Sequence, residues 1–420
     1  MTGAQKVLVL QGGGALGAYQ AGVFEALHEE MFHLDWVVGT SIGAINGAII
    51  AGNEPGRRVD RLGEFWDMAS KAPPGWEAWG AWTGLCKPWM GQMGAALNTV
   101  PYVVAGVPGF FAPRKNELAA ALGGRARSFY DTDPLLATLE RLVDFDYLND
   151  KPCRYTACAV DVDSGELATF DTRTTRVEPR HVMASGALPP GFPAVEIGGR
   201  RYWDGGVYSN TPIDVVLSDS ERRDTLCVMI DLWESSQESP DTIQAALGRQ
   251  KDIQYASRVR EHLRAHRETQ NLRRAIHQLA AMLPAAARGG AKAKRLAAKG
   301  CESSINLCRV VMKPLPADDH SKDLDFRPEV VRARWGAGVK DGLRLAAKRD
   351  WLGPLREGVG MAVHELASGE EPAVSVKPAP GGKIGAVADG AGASKAADSQ
   401  DAPAAEPIKK AKKTKQRTRR

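Results

Sequence analysis

Ser41, set in Gly39-Thr40-Ser41-Ile42-Gly43, has the surroundings that turn a hydroxyl into a nucleophile. The pentapeptide fits G-x-S-x-G and lies between an apolar stretch, residues 34–39, and a small-residue run, residues 42–51, that reads as a helix. A serine on so sharp a strand-to-helix turn takes up a strained backbone and projects its hydroxyl clear of the sheet. Glycines two positions to either side remove Cβ atoms that would collide across the turn. The helix that follows directs partial positive charge at the reacting centre.

A second glycine cluster precedes it. Gly12, Gly14 and Gly17 follow the apolar strand 6–10 and fit G-x-G-x-x-G, the pattern of a dinucleotide-binding turn. That reading also needs an acidic residue at the end of the second strand to hold a ribose hydroxyl. Asp35 stands at the start of that strand, and its end is occupied by the serine turn. On adjacent strand–helix units the two glycine patterns point instead to a serine nucleophile beside an anion-binding loop. The backbone N–H groups of Gly12, Gly13 and Gly14 can face the oxyanion of a tetrahedral intermediate, where one such donor contributes about 2.7–4 kcal/mol.

Serine needs a base. The eight histidines, 28, 33, 181, 262, 266, 277, 320 and 364, lie outside turn motifs, and His181 reads as a satisfied helix residue. Asp204 differs. It ends a short apolar strand in Tyr202-Trp203-Asp204-Gly205-Gly206, and a part-desolvated aromatic setting raises a carboxylate's basicity enough for direct use as a base. A Ser–acid–His triad on an α/β-hydrolase sheet is disfavoured, because a single strand precedes the one that delivers Ser41.

These groups must be held by alternating elements. Residues 5–52 read as strand, turn, helix (18–28), strand, turn, helix, which predicts a parallel sheet covered by helices. A helix over 134–143, a strand over 154–162, a hairpin ending near Phe170 and a strand over 225–232 follow. Residues 241–300 are helical and basic, and a strand (305–312) and a helix (328–347) close the ordered part. Residues 73–125 interrupt the pattern with prolines, glycines and four of the ten tryptophans, Trp76, Trp79, Trp82 and Trp89. The apolar run 100–111 carries Pro101, Gly106, Pro108 and Gly109, too many breakers to span a membrane. It suits either a lid that dips into lipid or an insertion packed over the core.

The chain is 43% hydrophobic and 25% charged, as soluble globular proteins are. Its net charge of +5 is a property of the tail: eight Lys or Arg stand between residues 409 and 420, leaving the rest at −3. Composition from about 368 onward reads as disordered. Six cysteines (86, 153, 158, 227, 301, 308) show neither metal spacing nor a disulfide framework, and no basic n-region with an apolar core opens the chain. Buried reduced thiols and a cytoplasmic location, with peripheral membrane association, are expected.

Three blocks in order, Gly12–Gly17, Gly39–Gly43 and Asp204-Gly205-Gly206 followed by Ser209-Asn210-Thr211-Pro212, resemble the bacterial patatin-like phospholipases. The segment 184–193 also resembles the stretch that precedes the acid in that family. The resemblance covers roughly residues 5–217. It implies a patatin-like three-layer α/β fold, with a mostly parallel central sheet, helices on both faces and a helical C-terminal extension. The expected division is a catalytic domain over 1–235 with a Trp-rich insertion or lid at 73–125, a basic helical extension with one returning strand over 236–365, and a tail over 366–420. The extension, with 323–326 and 332–336, looks like one of unknown role in some bacterial members.

The resemblance further implies a Ser41–Asp204 dyad without histidine and an oxyanion hole at Gly13 and Gly14, supported by Gly17, Gly39, Gly43, Gly205 and Gly206. No metal or cofactor is implied. One departure is Leu16, where the family often has Arg or Lys, so a nearby positive charge is missing. The expected partner is a lipid or other acyl ester, with peripheral contact to an anionic membrane or lipid-granule surface. Nucleic acid is disfavoured, since no aromatic residue lies among the tail lysines to stack on bases. A polyester or hydroxyalkanoate oligomer as substrate, or a non-catalytic surface protein, are the alternative readings.

Overall fold

Alternating buried residues build the centre of the molecule. In strand β1 (Gln5–Leu10), Val7 and Val9 enter one apolar cluster while Leu8 and Leu10 enter another on the opposite face. The computed structural model describes residues 3–30, 33–79, 99–114, 127–150, 153–234, 239–256, 259–316 and 318–366. The tail with its basic run therefore lies outside the described residues, as do Trp82, Trp89 and Cys86.

From β1 the chain passes through the glycine loop into α1 (Gly17–Glu30), then β2 (Trp36–Thr40) and α2 (Ile42–Ala51). After α3 (Arg58–Ala69) come α4 (Asp133–Leu142), β3 (Arg154–Asp161), β4 (Leu167–Asp171), α5 (Pro179–Ser185), β5 (Val195–Ile197) and β6 (Arg200–Asp204). The remainder supplies α6 (Ile213–Leu217), β7 (Thr225–Asp231), α7 (Ile243–Ala256), α8 (Val259–Met282), β8 (Ile305–Val311), α9 (Pro328–Ala347) and β9 (Met361–Glu365). Together the strands form one nine-stranded sheet in the order β9-β8-β7-β1-β2-β3-β6-β5, with β4 also paired to β3. Every pairing from β9 through β3 is parallel, and those of β4, β5 and β6 are antiparallel. The expected α/β fold with a mostly parallel sheet is the one observed.

Helices cover both faces. Residues of α1, α2 and α3 join the cluster of Leu8 and Leu10, whereas Ile213 and Leu217 of α6 and Val259 and Leu263 of α8 join that of Val7, Val9 and Trp36. The thiols of Cys158, Cys227 and Cys308 sit in strands and are fully or nearly fully buried. Burial pushes that of Cys158 up to about 12.

Where the sequence suggested one strand returning from the C-terminal region, two are present, β8 and β9. Met361-Ala-Val-His-Glu is short and half polar, so its alternation is weak; it is a strand because β8 offers it an edge. The C-terminal region also grips the first helix. Backbone meets backbone where α9 crosses α1: a Cβ on Gly22 would strike the Trp335 carbonyl, and one on Gly338 the Tyr19 carbonyl. The Tyr19 hydroxyl donates to Asp341 Oδ2 at 2.6 Å across the same contact.

The described parts of the aromatic insertion form a short helix, Val100–Ala105, and a two-stranded pairing of Ala112–Pro113 with Tyr130–Asp131. Phe110 and Phe111 between them are buried, 6% exposed each, and pack on Phe192. Residues 107–111 thus belong to the wall of the core. Trp76 and Trp79 meet edge to face at 5.0 Å.

Candidate active site

Among the described residues, Ser41 is the one non-glycine residue with positive φ, at φ 56° and ψ −125°. Three contacts impose that conformation. The Ser41 carbonyl accepts from Ala44 N–H at 2.9 Å as α2 begins, and its N–H donates to Ser185 Oγ at 3.0 Å. Ser185 Oγ in turn donates to the Cys158 carbonyl at 2.6 Å, tying the turn to β3. A Cβ on Gly39 would strike the Gly43 carbonyl, and one on Gly43 the Leu10 carbonyl. The two motif glycines are therefore required by close backbone approach.

The parallel order β1-β2-β3 brings the glycine loop, the serine turn and the end of β6 to one edge of the sheet. There Gly12, Gly13, Gly14, Ser41 and Asp204 line one cavity of about 90 Å³. Its other walls are chiefly apolar: Phe110, Phe111, Leu188, Phe192, Leu324 and Phe326. None of the eight histidines lines it. His181 is a buried helix-capping residue whose Nδ1 accepts from the Glu178 N–H at 2.9 Å, and burial lowers its pKa.

Asp204 is 2% exposed. Burial pushes its carboxyl up to about 7, opposed by the hydrogen bond from the Ser41 hydroxyl and by that from Gly206 N–H, which reaches Oδ1 at 2.7 Å. A carboxylate in this range is half ionised at neutral pH, a condition suited to accepting and returning a proton. Gly205 is pinned below it, since a Cβ there would strike the Cys158 carbonyl.

The oxyanion donors expected from sequence are narrowed by the hydrogen bonding. The Gly12 N–H donates to the Asn210 carbonyl at 3.1 Å and is committed there, which corrects its inclusion in the donor set. Gly13 and Gly14 remain. Gly14 has φ 54°, and the Asp323 carbonyl lies where its Cβ would stand, so glycine is needed on both counts. Gly17 opens α1 against the Ile42 side chain, which brings the first helix close to the second.

Residues that no motif announced complete the site. Gln11 is fully buried, and its Nε2 donates to Thr211 Oγ1 at 2.7 Å and to the Tyr255 carbonyl at 3.1 Å. Its Oε1 accepts from the Leu232 and Trp233 amides, the latter at 3.2 Å. A polar side chain directly after an apolar strand was the available signal. Trp233, Tyr255, Asp323, Leu324 and Phe326 come from the second half of the chain, and their proximity to Ser41 has no signature in local sequence.

A family model described as patatin-like phospholipase matches residues 8–217, and a second, described as patatin phospholipase, matches residues 253–358. The chain is 43% identical over 65 residues to the patatin-like phospholipase domain-containing protein M110.7 of Caenorhabditis elegans, covering 16% of this chain and 6% of that protein. It is 44% identical over 70 residues to lysophospholipase nte1 of Aspergillus terreus, covering 15% of this chain and 5% of that protein. The matched stretch thus spans about one-twentieth of the length of these curated relatives. Among solved structures, VipD from Legionella pneumophila aligns over 82% of this chain and 67% of its own, at 15% identity and a TM-score of 0.36. With the matched region spanning the glycine loop, the serine turn and Asp204, the chain belongs to the patatin-like phospholipase family.

Proposed function

We propose that this protein is a serine-dependent lipid acyl hydrolase that cleaves carboxylic esters through a Ser41–Asp204 dyad and an acyl-enzyme. One observation carries the reading: Ser41 and the buried Asp204 carboxyl, whose pKa burial raises to about 7, line one cavity together with Gly13 and Gly14. An ester carbonyl enters between Ser41 and the two amides. Ser41 Oγ attacks the carbonyl carbon while Asp204 takes its proton, and the carbonyl oxygen becomes an oxyanion held by the Gly13 and Gly14 N–H groups. Collapse of the intermediate breaks the bond to the alcohol, which leaves with the proton from Asp204. Water then attacks the acyl-enzyme as Asp204 takes a proton from it, and the returning proton frees Ser41 and the carboxylic acid.

The chiefly aromatic walls favour an alkyl chain on the acyl side, where apolar surface gains about 25 cal/mol for each Å² removed from water. A fluorophosphonate probe is expected to label wild-type protein at Ser41, located by peptide mass spectrometry, and to leave Ser41→Ala unlabelled. Labelling elsewhere, or equal labelling of both, would refute the dyad.

Peripheral contact with an anionic surface is the second part of the reading. Residues 267–300 hold eight Lys or Arg against one Glu, and Leu272, Leu279 and Met282 are 65%, 63% and 77% exposed. No described helix is long and apolar enough to cross a membrane. The end of α8, with its exposed apolar residues, and the short helices Ala285–Arg288 and Ala291–Ala297 that follow it, the latter carrying Lys292, Lys294 and Arg295, suit the interface plane instead, at about 1 kcal/mol per basic residue near an anionic bilayer. This stretch runs past β8 and β9 at their starting ends, away from Ser41, so it serves as a tether. The triple variant Lys292→Glu, Lys294→Glu, Arg295→Glu is expected to lose at least half its flotation with phosphatidylserine vesicles at low salt. Undiminished flotation would remove this tether from the reading.

A further inference from the structure

The Gly12 carbonyl receives two donors, Trp233 Nε1 at 2.8 Å and Asn210 Nδ2 at 3.0 Å. In a trans peptide the C=O of one residue and the N–H of the next lie in one plane and point in opposite directions. Whatever orients the Gly12 carbonyl therefore orients the Gly13 N–H. That N–H lies between two glycines, so side-chain sterics on either residue do not restrain the plane. Donation into the carbonyl oxygen also polarises the amide and strengthens its N–H as a donor.

Trp233 is well fixed for this task. It is 2% exposed, just beyond the end of β7, and its own N–H donates to Gln11 Oε1. Its ring packs against Tyr255 of α7 with centroids 4.9 Å apart, and Lys322 Nζ stands 5.2 Å over it. Lys322 is held by Asp252 of α7 at 2.6 Å, and the side chains of this pair are 7% and 4% exposed. Lys251 pairs with Asp323 at 2.8 Å alongside, and the Asp323 carbonyl abuts Gly14. A well-buried ion pair, a tilted aromatic contact and one indole N–H thus connect the C-terminal region to the glycine loop at the cavity.

We propose that Trp233 is a positioning residue of the oxyanion hole: its indole N–H, with Asn210, sets the Gly12–Gly13 peptide so that the Gly13 N–H meets the developing negative charge. The C-terminal region, by backing the indole, is then part of the catalytic apparatus. This inference rests on the Ser41–Asp204 reading above.

Trp233→Phe keeps an aromatic ring against Tyr255 and deletes the donor. Because Trp233 acts through a backbone amide, the effect is smaller than loss of a direct oxyanion donor: kcat on p-nitrophenyl esters is expected to fall about tenfold with KM within twofold. The affinity for a trifluoromethyl ketone, whose adduct with Ser41 carries an oxyanion, falls in parallel with kcat/KM. The affinity for the matching unreactive ether stays within twofold, and the pH midpoint of kcat/KM is unchanged. Trp233→3-benzothienylalanine, of nearly the same shape with sulfur in place of N–H, gives the same result and serves if the phenylalanine variant fails to fold. Wild-type kcat in a folded variant overturns the inference, as does equal loss of ether and ketone binding, which marks general distortion. An inert wild-type protein that also resists fluorophosphonate would overturn the dyad reading itself, and this inference with it.

Discussion

Ser41→Ala is expected to lower turnover of p-nitrophenyl acyl esters on the order of 10⁴-fold or more, while the protein still folds. Among the described residues lining the cavity Ser41 carries the one aliphatic hydroxyl, so on the proposed mechanism its loss leaves no nucleophile and no intermediate to stabilise. The turn survives the change because backbone contacts build it: Gly39 against Gly43, Gly43 against Leu10, and Ser41 N–H on Ser185 Oγ. Circular dichroism and a melting temperature within a few degrees of wild type would establish that the loss is chemical. A folded alanine variant that still turns over substrate would overturn the mechanism.

Asp204→Asn is expected to cost about 10²–10⁴-fold in kcat, the usual range for removal of a general base. The amide oxygen can still accept the Gly206 N–H, so geometry is kept and proton transfer is lost. In the wild type, kcat/KM should rise tenfold per pH unit below about 7 and level off above it, because ionised Asp204 is the active form. The residual activity of the asparagine variant should lack that step.

Stability moves the other way. The native carboxyl holds its proton up to about 7, whereas the unfolded one releases it near 3.8. Between those values the native state binds more protons, so stability falls as pH rises through that window. Above about 7 the full penalty applies, on the order of 4 kcal/mol. The asparagine variant escapes it and should melt higher than wild type at pH 8, with the advantage fading toward pH 4. Thermal melts across that range provide the check, and a gap independent of pH would mean that burial does not govern Asp204.

How much of this site is legible in sequence follows from which contacts are local. The serine turn is a five-residue event, since Gly39 and Gly43 collide with backbone close by in chain or on the neighbouring strand. Helix α2 ends at the residues its small side chains suggest, Ile42–Ala51, and α9 likewise at Pro328–Ala347. The basic stretch 241–300 reads as helix, and its described residues form α7, α8 and two short helices, Ala285–Arg288 and Ala291–Ala297, the first of which begins just after Pro284. Strand β9 escaped notice because five half-polar residues become a strand only when a parallel partner supplies the hydrogen bonds.

The sequence by itself determined the chemical vocabulary: a serine on a glycine-flanked turn, a glycine loop able to present amides, and an aspartate closing a short strand. Tertiary structure committed the Gly12 N–H to the Asn210 carbonyl and placed Gly13 and Gly14 on the cavity beside Ser41. It also raised the pKa of the Asp204 carboxyl to about 7, because burial by the surrounding layers disfavours its charged form. It brought Trp233, Tyr255 and Phe326 to the cavity from the far half of the chain. Local propensity encodes turns and periodicity. Burial, the direction of a peptide plane and contact across hundreds of residues arise only once the sheet is assembled.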